Sequence, residues 1–319
     1  MKKKFLLTAA AVVVLLAAVV AAGSLYLVNF ALVDAPRHRD SSFNRAIANY
    51  PELRSWIDSL QAEGALRDTF VVMPTGERAH AIFARSSKAH GATAVLVHGY
   101  TDNATSMLMI ARIYNHFLNY NILLPDQRAH GASEGRYITF GARERYEVLS
   151  WVTYLSQMLG QQHPMYLIGI SMGASTVLMS SCFDFPANVR GIVADCGFTS
   201  PAEIMKSVLH AHCKWLPAAP LLAFVNIFTT LFAGFSLKEA STTQALAAAT
   251  LPVLLIHGTS DSFVPACMSQ QAYDACASQK ELVLVDGADH GCSYLVDRTR
   301  VQAALAAFLQ QHTTKEEHT

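Results

Sequence analysis

Three residues of types that together carry out acyl transfer occur in this chain in the order serine, aspartate, histidine. Ser171 is the centre of the pentapeptide Gly-Ile-Ser-Met-Gly, 169–173, which follows the apolar run 165–170 and precedes a helix-like stretch, 174–181. A strand, a Gly-x-Ser-x-Gly turn and a helix in this order are typical of a nucleophile elbow, whose tight turn exposes the serine hydroxyl. The pentapeptide alone is a weak signal, and its weight comes from the acid and base candidates downstream.

Asp261 and His290 are those candidates, because each lies in a loop directly after an apolar run, 251–256 and 281–285. The carboxyl ends of parallel strands meet at one edge of a sheet, so we expect both side chains to lie near Ser171. In that arrangement Ser171 is the nucleophile and His290 is its general base. Asp261 is then the carboxylate that holds the histidine in the correct tautomer.

Two sets of competing residues stay open. Asp195 also follows a strand, 191–194, and is the alternative acid; its other interpretation is a carboxylate that supports or caps its loop. His98, His130 and His257 compete with His290 for the role of base. Each of the three precedes a glycine in a turn, and we interpret them as structural supports of their loops.

Six segments of the sequence resemble the alpha/beta hydrolases. Among the members of that family, the segments are most similar to bacterial esterases and to serine-aminopeptidase-like proteins. They fall within about residues 68–310: 98–100, 126–133, 169–173, 195–200, and the loops of Asp261 and His290. Ala129 departs from the family, which usually has glycine there, and this departure affects no candidate catalytic residue. The resemblance implies an α/β-hydrolase fold. It favours Asp261 over Asp195, because the run His-Gly-x-x-Asp-x-x-Val-Pro, 257–265, matches the family.

Acyl transfer also requires hydrogen-bond donors for the oxyanion that develops on the substrate carbonyl. Two backbone N–H groups are predicted for this role. One belongs to Met172, the residue after the nucleophile, and the other to Tyr100, in the loop after the strand 93–97. Removing one such donor typically lowers turnover about a hundredfold or more, so the oxyanion hole is a major part of the predicted mechanism.

The elements that must position these residues alternate between strands and helices. A hairpin, 69–73 and 80–84, is followed by strands at 93–97, 122–124, 165–170, 191–194, 253–256 and 281–285, and a helix at 298–311 closes the pattern. Such alternation predicts an α/β protein with a mostly parallel central sheet and helices on both faces. We divide the chain into a signal-anchor or transmembrane segment, 1–33, a helical connector, 34–67, a first core part, 68–200, a helical cap insertion, 201–250, a second core part, 251–312, and a polar tail, 313–319.

The cap insertion is too long for an ordinary loop and carries helical patterns of its own. It is rich in Leu, Ala and Phe, as in the run 220–232. A helical cap with an apolar inner face would favour acyl or other hydrophobic substrates. The alternative is that these side chains only pack the cap onto the sheet.

The N-terminal segment begins with three lysines before an apolar run, 5–28. The run is longer than the roughly 7–15 residues of a signal-peptide core and near the ~20 residues that span a bilayer, so we predict a transmembrane helix that anchors the protein to the lipid bilayer. The lysines favour a cytoplasmic N-terminus and an extracytoplasmic catalytic domain, although Arg37 and Arg39 weaken this argument. The alternative is a cleaved secretory signal ending within 20–23, which would leave a secreted protein.

Composition narrows the remaining possibilities. The chain has 319 residues, of which 52% are hydrophobic, and a formal net charge of zero, which argues against nucleic acid as a partner. Six cysteines invite a search for disulfides. Cys267 and Cys276 are excluded as a pair if they share one helix, because nine residues separate them by about 13 Å. His210, His212 and Cys213 are a weak metal motif, and we predict no metal and no cofactor.

The leading hypothesis is a serine hydrolase that forms an acyl-enzyme and acts as a carboxylesterase or lipase-like enzyme on hydrophobic acyl substrates. One alternative is a serine peptidase of aminopeptidase type, which would need acidic residues to hold a free amine; Glu203 and Glu239 are the candidates in the cap. Another alternative is a catalytically silent, membrane-tethered binding protein on the same scaffold. Acyl transfer to an alcohol in place of water is a third possibility.

Overall fold

The computed structural model describes residues 2–33, 39–87, 91–215 and 217–313. Within them the strands are β1 (Leu66–Val72), β2 (Arg78–Ala84), β3 (Thr93–Val97), β4 (Asn121–Pro125), β5 (Met165–Ile170), β6 (Val189–Asp195), β7 (Val253–Gly258) and β8 (Lys280–Val285). The helices are α1 (Lys2–Leu32), α2 (Arg39–Asn49), α3 (Glu52–Ala62), α4 (Leu108–Arg112), α5 (Glu144–Leu159), α6 (Met172–Met179), α7 (Pro201–His212), α8 (Ala218–Phe228), α9 (Thr242–Leu246), α10 (Cys267–Ala275), α11 (Ser293–Val296) and α12 (Arg298–Thr313). Short helical turns at Ala104–Met107, Ile113–Phe117 and Thr229–Ala233 complete them.

The strands form one sheet in the order β1-β2-β4-β3-β5-β6-β7-β8. β1 and β2 are an antiparallel hairpin, and β2 also pairs antiparallel with β4. From β4 to β8 the neighbouring strands are parallel. The mostly parallel sheet that the alternating sequence pattern predicted is therefore confirmed.

Apolar side chains cover both faces of this sheet, as parallel strands buried between helices require. Along β3, Ala94 and Leu96 join one buried cluster, and Val95 and Val97 join the other. The first cluster includes α3 and α12, and the second includes α5 and α6. Since the inner strands β2 to β7 are mostly buried on both sides, the sheet is a rigid platform, and the loops at its carboxyl end are held in fixed positions.

The cap region between β6 and β7 is helical. Ser200 begins α7 by accepting a hydrogen bond from the Glu203 N–H (3.1 Å), and Pro201 follows at the first helical position, where its missing N–H costs nothing. Helix α8, the turn Thr229–Ala233 and α9 follow before the chain re-enters the sheet. A third buried apolar cluster joins these helices to the sheet edge that carries Ser171.

The N-terminal segment requires a correction. Among the described residues, no helix combines the length and the apolar character needed to cross a membrane, so the predicted transmembrane segment, 1–33, is wrong. The bilayer is therefore withdrawn as the partner of this segment. Part of its apolar character serves the fold: Val28 and Leu32, near the end of α1, are buried in the third apolar cluster. The extracytoplasmic location of the catalytic domain stays a prediction.

The predicted connector, 34–67, contains α2, α3 and the start of β1, and its residues 34–38 lie outside the described part of the chain. Helix α3 begins at Glu52, directly after Pro51, and buries Leu53, Trp56 and Leu60 against the sheet. Of the predicted polar tail, 313–319, only Thr313 is described, as the last residue of α12.

Candidate active site

Ser171 lies at the sharp turn between β5 and α6. Its backbone has a φ of 56° and a ψ of −118°, a conformation that a residue with a side chain rarely adopts. A Cβ atom at Gly169 would overlap the backbone of Gly173, and one at Gly173 would overlap the carbonyl oxygen of Val97. The two glycines of the pentapeptide are thus required by close backbone approach, and the predicted elbow is the observed turn.

A continuous chain of hydrogen bonds joins the three predicted catalytic residues. The Ser171 Oγ lies 2.9 Å from His290 Nε2, and His290 Nδ1 lies 2.7 Å from Asp261 Oδ2. Because an ionised carboxylate can only accept, the histidine carries its proton on Nδ1 and leaves Nε2 free to accept the serine proton. The three side chains come from loops after β5, β7 and β8, at the carboxyl edge of the sheet. This is the arrangement that a serine nucleophile and its base require.

The Asp261 carboxylate is held by more than His290. Its Oδ2 also accepts from His257 Nε2 (3.1 Å), and its Oδ1 accepts from the N–H groups of Phe263 (2.9 Å) and Val264 (2.8 Å). Burial by itself would raise the pKa of Asp261. The hydrogen bonds from His257, His290 and Val264 outweigh burial and bring the pKa below its usual value. Asp261 is therefore an anion at neutral pH.

Asp195, the competing acid, ends β6 beside the site but makes a different set of contacts. Its Oδ1 accepts from the Ser293 hydroxyl (3.0 Å), and its carbonyl oxygen accepts from the Ser171 N–H (2.9 Å). Burial raises its pKa to about 6, against smaller effects of the Ser293 hydrogen bond and of His257 and His290. Asp195 thus supports the serine turn and α11, while His290 Nδ1 donates to Asp261.

The loop that carries Tyr100 passes next to the nucleophile. A Cβ atom at Gly99 would lie 3.5 Å from the Ser171 Cβ, which places the following peptide beside the serine. His98 fixes this loop, because its Nδ1 lies 2.7 Å from the Gly99 carbonyl oxygen and its Nε2 accepts from the Gln127 N–H (3.0 Å). Burial, together with nearby His130, lowers the pKa of His98 to about 3, so this ring is neutral.

The second predicted oxyanion donor belongs to Met172, the first residue of α6. The first N–H groups of a helix have no partner within that helix and carry its positive dipole end. His130 holds the loop that carries Tyr100, since its Nε2 accepts from the Thr101 N–H (3.2 Å). The loop after β3 and the start of α6 thus both lie next to Ser171. Both positions suit the predicted role.

Sequence and structure comparisons agree with this architecture. A sequence model described as "Alpha/beta hydrolase family" matches residues 94–305, which is more than half of the chain and contains every candidate site residue. The chain belongs to the alpha/beta hydrolase family.

Several known proteins are similar to this hydrolase. The uncharacterised protein YqkD of Bacillus subtilis is 27% identical over 217 residues, which cover 68% of this chain and 70% of YqkD. The uncharacterised protein Rv2307c of Mycobacterium tuberculosis is 27% identical over 246 residues, covering 77% of this chain and 79% of that protein.

Two solved structures are similar to this hydrolase in fold. The esterase Pf2001 of Pyrococcus furiosus superposes with a TM-score of 0.63 at 21% identity, covering 78% of this chain and 92% of that chain. The esterase EaEST of Exiguobacterium antarcticum superposes with a TM-score of 0.54 at 18% identity, covering 76% and 99%. At these identities the similarity establishes the shared fold.

A cavity of about 390 Å³ opens beside Ser171 in this hydrolase. Its volume lies within the range of small-molecule sites. Its wall comes from four regions: the end of α1, the Tyr100 and Phe140 loops, the cap helices, and Phe263 next to His290. The lining residues are Val28, Ala31, Leu32, Tyr100, Phe140, Ser171, Phe198, Ile204, Met205, Val208, Leu209, His212, Leu221, Leu222, Val225 and Phe263. The apolar residues of the cap thus do more than pack onto the sheet, because several of them line the cavity that opens beside Ser171.

The acidic residues considered as anchors for a free amine lie elsewhere. Glu203 pairs with Lys206 across one turn of α7 (3.5 Å), and Glu239 pairs with Arg143 (3.4 Å). Within the described part of the chain, the cavity wall contains no carboxylate. The cavity therefore offers a mostly apolar surface next to the reacting serine.

One group of possible metal ligands lies at the site. Cys196, Asp261 and His290 each place one possible ligand atom within 4.8 Å of the others. Both ring nitrogens of His290 are already engaged by Ser171 and Asp261, and burial raises the pKa of the Cys196 thiol, which disfavours the thiolate that metals bind. In the weak motif of α7, His212 Nδ1 bonds to the Val208 carbonyl oxygen within the same helix (3.0 Å). All six cysteines are free thiols.

Two contacts that support this hydrolase site are not evident from the sequence. The sequence predicts His257 as a support of its loop, and in the structure His257 also bonds directly to the Asp261 carboxylate. Asp289 joins the two catalytic loops, since its Oδ1 accepts from the Ser262 N–H (2.9 Å) and from the His290 N–H (2.8 Å). The sequence signal for this role of Asp289 is its position directly before the predicted base, His290.

Proposed function

We propose that this alpha/beta hydrolase is a serine carboxylesterase that forms an acyl-enzyme at Ser171 and acts on esters with an apolar acyl group. The observation that carries the proposal is the hydrogen-bonded chain from Ser171 Oγ through His290 to Asp261, whose serine end lies in the wall of an apolar cavity. A nucleophile, a base and a carboxylate in this order are the parts that ester hydrolysis requires.

In the first half of the reaction, the Ser171 Oγ attacks the ester carbonyl carbon as its proton passes to His290 Nε2. Asp261 stabilises the imidazolium through the bond to Nδ1 and keeps its own negative charge. The carbonyl oxygen becomes an oxyanion, which the N–H groups of Tyr100 and Met172 stabilise. The tetrahedral intermediate collapses when the bond to the alcohol oxygen breaks and His290 returns the proton to that oxygen.

In the second half, the acyl group is bound to Ser171 and the alcohol has left. A water molecule gives a proton to His290 Nε2 and attacks the acyl carbonyl, with the same two N–H groups stabilising the oxyanion. Collapse breaks the bond to Ser171 Oγ, which regains the proton from His290. The products are a carboxylic acid and the free enzyme.

The character of the cavity supports esters over N-terminal peptide bonds as substrates. An aminopeptidase must hold the free ammonium group of its substrate, and an ammonium removed from water requires a paired negative charge. Glu203 and Glu239 are engaged with Lys206 and Arg143. An apolar acyl chain, in contrast, binds more tightly with each methylene that it buries against such a wall.

The experiment is a substrate panel with the full chain and with Ser171→Ala. It contains p-nitrophenyl acetate, butyrate, octanoate and dodecanoate, and a set of aminoacyl p-nitroanilides. We expect the wild type to hydrolyse the esters, with higher kcat/KM for the longer acyl groups, and Ser171→Ala to lose this activity. Preference for the anilides would replace the esterase proposal with the peptidase. Absence of both activities in a folded wild type would favour the silent binding protein.

A further inference from the structure

We infer that the end of α1 is part of the substrate site and that Val28, Ala31 and Leu32 set the length of acyl chain that the enzyme accepts. This inference rests on the proposed function for its reaction. It adds that a helix at the start of the chain, outside the segment matched by the family model, determines specificity. The three residues stand at helical spacing of three and four, so they share one face of α1.

The first support is the fit of this helix end into the protein. Val28 and Leu32 are 4% and 0% exposed, respectively. α1 packs against α8 of the cap, whose Leu221, Leu222 and Val225 face the same cavity. The end of α1 and the cap therefore form neighbouring parts of the cavity wall, to which Ser171 also belongs.

The second support is a pair of hydrogen bonds that hold the helix end at the site. The Tyr100 hydroxyl donates to the Ala31 carbonyl oxygen (2.9 Å), and the Ile138 N–H donates to the Leu32 carbonyl oxygen (2.7 Å). Both acceptors are among the last carbonyls of α1, which have no partner within the helix. Tyr100 also stacks on Phe140, another lining residue, with ring centroids 5.2 Å apart. The helix end is thus joined to the loop that carries the proposed oxyanion donor.

The position of the cavity indicates the acyl part of the ester as its occupant. The alcohol oxygen must lie near His290 Nε2 to receive its proton, so the alcohol leaves on the histidine side. The cavity wall runs over Ser171 and Tyr100 and reaches the histidine side only through Phe263. The group that extends from the carbonyl into this cavity is therefore the acyl chain. An apolar chain is the matching ligand, because its methylenes would replace water against an apolar wall.

The test changes the volume of this wall. Ala31→Trp should shorten the accepted chain, and the ratio of kcat/KM for p-nitrophenyl octanoate to that for the acetate should fall at least about tenfold. Val28→Ala should move the ratio in the opposite direction and raise the relative rate on the dodecanoate. The matched control is Ala22→Trp, at an exposed position of the same helix. It should leave unchanged both the octanoate-to-acetate ratio of kcat/KM and the relative rate on the dodecanoate. Near-UV circular dichroism verifies that each variant is folded.

A second readout does not require catalysis. Calorimetry measures dodecanoate binding to Ser171→Ala, with and without Ala31→Trp, and we expect Ala31→Trp to weaken binding at least about tenfold. An unchanged chain-length ratio in folded Ala31→Trp and Val28→Ala would overturn the inference and leave the esterase proposal intact. A wild type that hydrolyses no ester would overturn the esterase proposal. In that case dodecanoate binding that weakens with Ala31→Trp supports the inference, and absent or unaltered binding overturns it.

Discussion

His257 and His290 donate to the same oxygen of the Asp261 carboxylate, at distances of 3.1 Å and 2.7 Å from Oδ2. The His257 Nδ1 lies 2.6 Å from the Ser269 hydroxyl, which can donate to it, and this leaves the His257 proton on Nε2 for Asp261. The acid of the proposed triad is thus fixed by a second, fully buried histidine. The negative charge of Asp261 therefore accepts hydrogen bonds from two imidazole rings, those of His257 and His290.

We expect Asp261→Asn to lower kcat by about four orders of magnitude, because the amide can no longer hold the His290 tautomer that accepts the serine proton. Asp195→Asn should lower kcat far less, since Asp195 bonds to Ser293 and not to His290. Steady-state ester hydrolysis by the two folded variants measures this difference. A larger loss in Asp195→Asn would assign the acid role to Asp195.

We expect His257→Leu to lower kcat, because the Asp261 carboxylate loses the hydrogen bond from His257 that fixes its position beside His290. The variant should also be destabilised by about 1–3 kcal/mol, the usual cost of leaving a buried acceptor short of a donor. Ser269→Ala is the control, because it keeps the His257 to Asp261 bond. An unchanged kcat in folded His257→Leu would rule out a positioning role for His257.

The pH dependence of stability should reveal the buried Asp195. Its pKa is raised from 3.8 to about 6 by burial, so the unfolded chain ionises this carboxyl at lower pH than the folded chain does. The stability that Asp195 contributes is therefore present at low pH and is lost as the pH rises from about 4 to about 6. We expect Asp195→Asn to gain thermal stability relative to the wild type over this interval. If the Tm of Asp195→Asn differs from that of the wild type by the same amount at about pH 4 and at about pH 6, this prediction is contradicted.

We expect His98→Leu to lower kcat with little change in KM, by less than about a hundredfold, because the loop bearing the Tyr100 N–H loses its support while the N–H itself remains. The control is His163→Leu. His163 bonds to Thr93 Oγ1 (2.8 Å), at the opposite ends of β3 and β5 from the serine, and its loss should leave kcat unchanged. An equal loss of kcat in His98→Leu and His163→Leu would indicate a general effect on folding and would contradict a specific role of His98 at the site.

The succession of strands and helices along the chain, and the loops that carry Ser171, Asp261 and His290, could be predicted because both are local patterns. β3 and β5 have the predicted bounds, since apolar runs of five and six residues between polar loops leave little freedom. Residues that follow parallel strands must meet at one edge of the sheet. The meeting of the three side chains therefore follows from the chain order of the strands.

The role of α1 could not be predicted in the same way. An apolar run gives the same sequence pattern whether it contacts lipid or protein, so the partner of Val28 and Leu32 depends on the tertiary fold. The bond from His257 to Asp261 depends in turn on the path of the loop 258–264, which returns the aspartate to the end of β7. Sequence spacing alone does not specify that path.

The central claim is that Ser171 is a nucleophile activated by His290, and fluorophosphonate labelling of the full chain tests it most directly. Intact mass spectrometry and peptide mapping would follow the adduct in the wild type, Ser171→Ala and His290→Gln. We expect one adduct on Ser171 in the wild type, none in Ser171→Ala, and greatly slowed labelling in His290→Gln. A folded wild type that is not labelled, or an adduct that persists in Ser171→Ala, would contradict the account.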